Sequence, residues 1–264
     1  MIYMIMKNIR YILMTVLAAF FVTSCEWFVL DNMDDYDATV CGRLIDSETG
    51  ENVLSEISSQ TGSFKIIELG WDGEATQSWN VKNNGTYRNN LVWSGDYRME
   101  SNDANYYPIV TNFQLKKGDN EVDFYVTPYV RVLDHTIAYN ATTKKIEATC
   151  TVQVTDLVKT NSLEVRLCAF TDNFVGSAFN NCKNDAGSFV KNVEFDKDGK
   201  ATVKVAIDTQ DSGNSVQFKY DRVHYVRLAA LATGTNVNTG ARYNFGPTYS
   251  LRLDGSEPVV YNEW

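Results

Sequence analysis

The sequence lacks most of the features that usually reveal a chemistry. Its 264 residues include two histidines, His135 and His224, and neither sits in a catalytic neighbour pattern. It has no G-x-S-x-G elbow, no H-E-x-x-H and no glycine-rich phosphate loop. Adjacent residues on a strand face opposite ways, so Asp134 and His135 are not expected to share a site. The longest N-terminal apolar run, Tyr11–Val22, falls short of the roughly 20 residues a membrane span needs. Positive charge is also scarce, with 24 Lys and Arg against 33 Asp and Glu. Nucleic acid is held by basic side chains that neutralise phosphates, so this balance argues against that partner and against anionic lipid surfaces. Prolines number four and no long segment repeats its apolar residues with a helical period.

What is present begins with a secretory signal over residues 1–24: Lys7 and Arg10, then the apolar run, then small residues. Val22-Thr23-Ser24-Cys25 resembles the bacterial lipobox. That resemblance implies cleavage before Cys25 and acylation of its thiol, with a lipid bilayer as partner and the outer membrane as location. Each buried methylene contributes about 0.8 kcal/mol and stable anchoring takes more than one chain, which a multiply acylated cysteine supplies. The mature chain then carries 22 basic and 33 acidic residues, a net charge of −11. Residues 25–37 read as an acidic tether containing Asp31, Asp34, Asp35 and Asp37. In the gut-bacterial lipoproteins this start resembles, such acids mark display at the cell surface. Cys41, Cys150, Cys168 and Cys182 match no metal spacing and are expected as free thiols. Cys150 shares the parity of Ile146, Ala148, Val152 and Val154, as a small core residue would.

The rest is short Val-, Ile-, Thr-, Tyr- and Phe-rich runs broken by Gly, Asn and Asp, the pattern of an all-β chain. A first set of strands is expected at 39–45, 64–69, 77–82, 97–100, 109–115 and 121–126, with the last two joined as a hairpin by Lys116–Asn120. Thr127-Pro128 interrupts the pattern. A second set is expected at 129–139, 146–155, 162–171, 188–195, 200–208, 223–232 and 248–253. Residues 172–187 read as irregular with room for a short helix. Asp196-Lys197-Asp198-Gly199 reads as a hairpin turn, since it lacks the further acids of a calcium loop. Two β-sandwiches follow: a transthyretin-like one over 38–127 and an immunoglobulin-like one over 128–264.

Four stretches resemble domain-of-unknown-function family 3823, two-domain lipoproteins of Bacteroidetes. They are CGRLIDSETGENV (41–53), NGTYRNNLVWSGDYRM (84–99), VDFYVTPYVRV (122–132) and the segment from His224 to Leu253. The resemblance implies a first domain of the transthyretin or carboxypeptidase-regulatory type. It also implies a setting beside SusC-like transporters and SusD-like binding lipoproteins of polysaccharide uptake. It brings no catalytic, metal or cofactor residues. The candidates for glycan contact are loop aromatics: Trp71 in Gly70-Trp71-Asp72-Gly73, and Tyr106-Tyr107 before Pro108. Trp79 is ambiguous, and Trp93 is expected to pack. The leading expectation is a non-catalytic, surface-tethered glycan-binding or accessory protein. The alternatives are a spacer that docks the transporter without a ligand of its own, and a hydrolase with an unrecognised carboxylate pair.

Overall fold

The computed structural model describes residues 35–57, 63–71, 73–101, 103–183, 185, 187–214 and 218–262. The signal segment, Cys25 and most of the acidic tether lie outside the described residues. From Asp37 onward the chain forms one compact unit made of two β-sandwiches.

The first sandwich uses β1 (Ala38–Asp46), β2 (Ser63–Glu68), β3 (Ala75–Asn80), β4 (Thr86–Val92), β5 (Gly95–Ser101), β6 (Ile109–Leu115), β7 (Gly118–Glu121) and β8 (Phe124–Val126). One sheet runs β4–β1–β7 with β8 also on β1, and the other runs β3–β2–β5–β6. Strand β1 is antiparallel to β4 and parallel to β7 and β8. The expected hairpin of 109–115 with 121–126 therefore does not form. β6 pairs with β5, and the chain crosses at Lys116–Gly118 to the opposite sheet. Asn120 fixes that crossing: its Nδ2 donates to the carbonyls of Thr39, Lys116 and Gly118, and its Oδ1 accepts from Lys116 N. β4 was not expected, because Arg88, Asn89 and Asn90 are poor strand formers. It is held as an edge by Tyr87, whose hydroxyl donates to Val122 O. The core is aromatic: Phe64 lies edge-on to Tyr87 at 5.1 Å and to Phe124 at 5.5 Å, and Trp79, 3 % exposed, closes the cluster.

The second sandwich comprises β9 (Val130–Asn140), β10 (Lys145–Val154), β11 (Thr160–Phe170), β12 (Phe189–Val190), β13 (Lys200–Asp208), β14 (His224–Gly234), β15 (Asn244–Leu251) and β16 (Val259–Val260). Its sheets run β13–β10–β9 and β12–β11–β14–β15–β16. Alternation along β10 buries Ile146, Ala148, Cys150, Val152 and Val154 against Leu163, Val165, Val226 and Leu228. All four described cysteines are free. The strand expected at 188–195 shrinks to Phe189–Val190. Asp196–Gly199 is therefore a turn but not a hairpin: Asp196 Oδ1 accepts from the amides of Asp198 and Lys200, and Gly199 has φ +75°. Among the described residues of 172–187 there are turns and bends and no helix.

Strand β14 is buried on both faces from His224 to Leu231, apart from half-buried Tyr225. Val226, Leu228 and Ala230 face the core of their own sandwich. Ala229 instead packs with Cys168, Val175 and Phe245 in a cluster that takes in Leu54 from the first sandwich. The two sandwiches thus share an interior.

A cleft at the sandwich junction

A cavity of about 780 Å³ opens where the sandwiches meet. Its first wall is the loop after β1, from Asp46 to Leu54, with Asn83 and Asn84 of the β3–β4 turn. Its second wall is the start of β9, from Pro128 to His135. The third comes from β15 and the C-terminal segment, Asn244–Thr248 and Val260–Asn262. Gly85 makes the first wall possible. It holds φ +80°, and a Cβ there would stand 2.6 Å from Val53 O.

Buried polar groups fix these walls against each other. Arg131 donates through Nε and Nη2 to both oxygens of Asp46 at 2.5 and 2.9 Å, and Nη2 also meets Glu48 at 2.9 Å. Burial alone would raise the Asp46 carboxyl, but the bonds from Arg131 and from Glu48 N outweigh it and hold the group below its ordinary range. Arg227, 1 % exposed, donates to Gly246 O at 2.8 Å in its own sandwich. Its other nitrogens reach Ser55 O at 2.6 Å and Asn83 O at 3.0 Å in the first. The guanidinium lies 4.4 Å over the Phe245 ring, and burial drives its pKa down to about 9. Glu56, 3 % exposed, accepts from Ser177 Oγ and Ala178 N. Asn105 Nδ2 donates to Leu54 O, and Asn244 Nδ2 donates to Asn105 O.

The lining combines ring and apolar faces, from Pro247 and Tyr261, with polar groups that the walls leave available. β9 carries a bulge here. Thr136 pairs with Thr149 and Leu133 with Thr151, so Asp134 and His135 together oppose Cys150. Asp134 takes φ +43°, a conformation Asp tolerates better than most residues. The bulge breaks the alternation that would have sent the two side chains apart, and both line the cleft. His135 Nδ1 shares a hydrogen bond with Tyr249 Oη at 2.9 Å. The Thr248 hydroxyl is buried in the same lining and has no hydrogen-bond partner among the described residues.

The aromatic candidates from the sequence do not gather here. Trp71 is 56 % exposed at the tip of the β2–β3 hairpin. β3 separates that tip from the cleft: its start, Ala75, is roughly 17 Å from its end, Asn80, which leads into Asn83. Tyr106 is 2 % exposed and belongs to the first core, bridged to Pro128, so its ring is closed to a ligand arriving from solvent. Tyr107 is half-buried, its ring 4.6 Å from that of Tyr129, and it packs on the second core. Both tyrosines join the sandwiches. Trp93 is half-buried.

The model of a protein of unknown function (DUF3823), N-terminal domain, matches residues 38–127. A solved structure from Bacteroides uniformis, described as a "putative carbohydrate binding protein", is 29% identical. It has a TM-score of 0.72 and covers 83% of this chain and 100% of its own. A DUF3823 family protein from Parabacteroides merdae gives a TM-score of 0.63 at 18% identity, covering 84% of this chain and 100% of its own. One from Bacteroides ovatus gives 0.61 at 18%, covering 82% and 100%. At 18% the likeness speaks for the fold alone. None of the curated proteins matches the chain.

Proposed function

We propose that this chain, whose residues 38–127 match the model of the DUF3823 N-terminal domain, is a non-catalytic carbohydrate-binding protein of that family that takes its glycan in the junction cleft. The observation that carries the reading is the make-up of the lining. Carboxylates, amides and an imidazole stand beside the flat faces of Pro247 and Tyr261, and a sugar offers hydroxyls and apolar C–H faces in the same mixture. The B. uniformis relative supports it through its own description. In this reading Cys25 is the lipid-attachment site, the chain is tethered at the outer membrane, and a SusC/SusD-like uptake system is its working partner.

The test is affinity electrophoresis of the protein through gels holding single polysaccharides. Retardation by one of them, lost in Glu51→Ala/Asp134→Ala and kept in Trp71→Ala, is the expected result. The reverse pattern would move the site to the β2–β3 hairpin tip, where the exposed Trp71 ring is the competing observation. The buried contacts between the sandwiches support a second reading, a spacer that docks the transporter and binds no glycan. Its signature is co-purification with the transporter from detergent extracts and no retardation by any polysaccharide. Incorporation of labelled fatty acid, abolished by Cys25→Ala, tests the anchor.

A further inference from the structure

Building on the carbohydrate-binding reading, we infer that the cleft selects uncharged saccharides and turns away uronate-bearing and sulfated ones, with Glu51 and Asp134 as the residues that decide. The cleft is lined by three cations, and each is already engaged. Arg43 Nη2 reaches Asp123 at 2.6 Å, Arg131 is bound by Asp46 and Glu48, and Arg227 is spent on three carbonyl oxygens. An incoming carboxylate or sulfate therefore meets no unpaired guanidinium among the described residues: taking Arg131 or Arg227 would leave a buried acid or carbonyl unpaired, and the more exposed Arg43 already spends its charge on Asp123.

The acids are in the opposite condition. Glu51 and Asp134 line the cleft, both are exposed, and among the described residues neither carboxylate has an ion-pair or hydrogen-bond partner. Asp134 is put there by the β9 bulge at φ +43°. An ionised carboxylate offers two acceptor oxygens, a match for the paired hydroxyls of a neutral sugar, and such charge-assisted bonds are the stronger kind. The orphan Thr248 hydroxyl adds a buried group that a sugar hydroxyl can satisfy. Toward a ligand anion the same two acids are repulsive. One unit charge about 6 Å away, in a medium between protein surface and water, changes affinity roughly tenfold. The mature chain's net charge of −11 adds to this at long range.

The experiment compares the full chain, solubilised in detergent, with Glu51→Gln/Asp134→Asn. Both substitutions keep size and remove the charge, trading one acceptor oxygen for an NH2 donor that a sugar hydroxyl can still meet, and Asn tolerates the backbone of position 134. The probes are neutral galactomannan, xyloglucan and β-glucan against anionic polygalacturonan and chondroitin sulfate, at about 0.1 M salt. The native chain is expected to bind a neutral probe and neither anionic one. In the variant the ratio of neutral to anionic affinity should fall at least tenfold. Tight binding of an anionic probe by the native chain overturns the selectivity and leaves the carbohydrate reading standing, as does an unchanged ratio in the variant. Binding of no probe by the native chain overturns both.

Discussion

Arg227 offers the sharpest test of how the two sandwiches are joined. Replacing it with Met keeps much of its length and removes every donor. Asn83 O retains the amide of Ser55 as a donor at 3.2 Å, so it is not stranded. Gly246 O and Ser55 O lose the guanidinium bonds of 2.8 and 2.6 Å. A buried polar group left without a partner costs about 1–3 kcal/mol, so two cost roughly 2–6 kcal/mol. Relief from burying a charge offsets part of this, which leaves an expected loss of about 2–4 kcal/mol. For a chain of this size that is a fall in Tm of roughly 5–15 °C. The assay is urea and thermal unfolding followed by tryptophan fluorescence and circular dichroism. Native protein is expected to unfold in one step and Arg227→Met to do so earlier. If Arg227→Met matches or exceeds the native stability, the buried guanidinium is a net burden and the account of it as the bond between sandwiches is wrong.

Three further outcomes are expected. His224, fully buried beside Phe218, has its pKa driven down to about 4, chiefly by burial. Its folded pKa lies below the ordinary value of 6.5, so the stability it confers is complete above 6.5 and lost as pH falls toward 4. The loss is about 3 kcal/mol at most, and it should be visible as an acid slope in urea midpoints that flattens in His224→Phe. Asp46→Ala takes both Asp46 oxygens from Arg131, whose side chain is 6 % exposed, leaves the exposed Glu48 as its remaining carboxylate and should cost about 3 kcal/mol; a chemical-denaturation midpoint that barely moves would refute the geometry. Trp71→Ala should change stability by less than about 0.5 kcal/mol, because the ring stands in solvent, and a larger loss by calorimetry would contradict that placement.

Much of the fold was legible because alternation is a local signal. Lys200–Asp208 and the parity of Cys150 in β10 could be read directly from period-two burial. What escaped was non-local. Ile109–Leu115 and the run after it look like a hairpin, and nothing in Lys116–Asn120 says that the chain is leaving one sheet for the other. β4 was hidden by Arg88, Asn89 and Asn90, which an edge strand tolerates and a central one would not. The site was harder still. Alternation separates Asp134 from His135, and only the bulge, which leaves no mark beyond an Asp tolerant of positive φ, reunites them. Arg227 did leave a trace: a lone cation inside the apolar run VRLAALA is a buried group in need of oxygens. Tyr106 and Tyr107 misled because a Tyr-Tyr-Pro loop has the same composition whether it faces solvent or another domain.

The position of β1 has a consequence for how the chain reaches this state. The first strand of the unit is central in its sheet, yet it pairs with β7 through contacts such as Ala38 with Gly118. The β2–β3 hairpin, whose strands are only a few residues apart, can close early. Closing a loop of that longer span costs about 2 kcal/mol more than closing the hairpin, so the pairing is correspondingly slower. Until the segment from Gly118 to Val126 docks, one edge of β1 stands unpaired, with Val40, Leu44 and Ile45 uncovered beside it. That interval is the point at which a nascent or refolding chain is most exposed to pairing with a second copy of itself. Faster capture of the β6–β7 crossing, through the Asn120 hydrogen bonds, would shorten it.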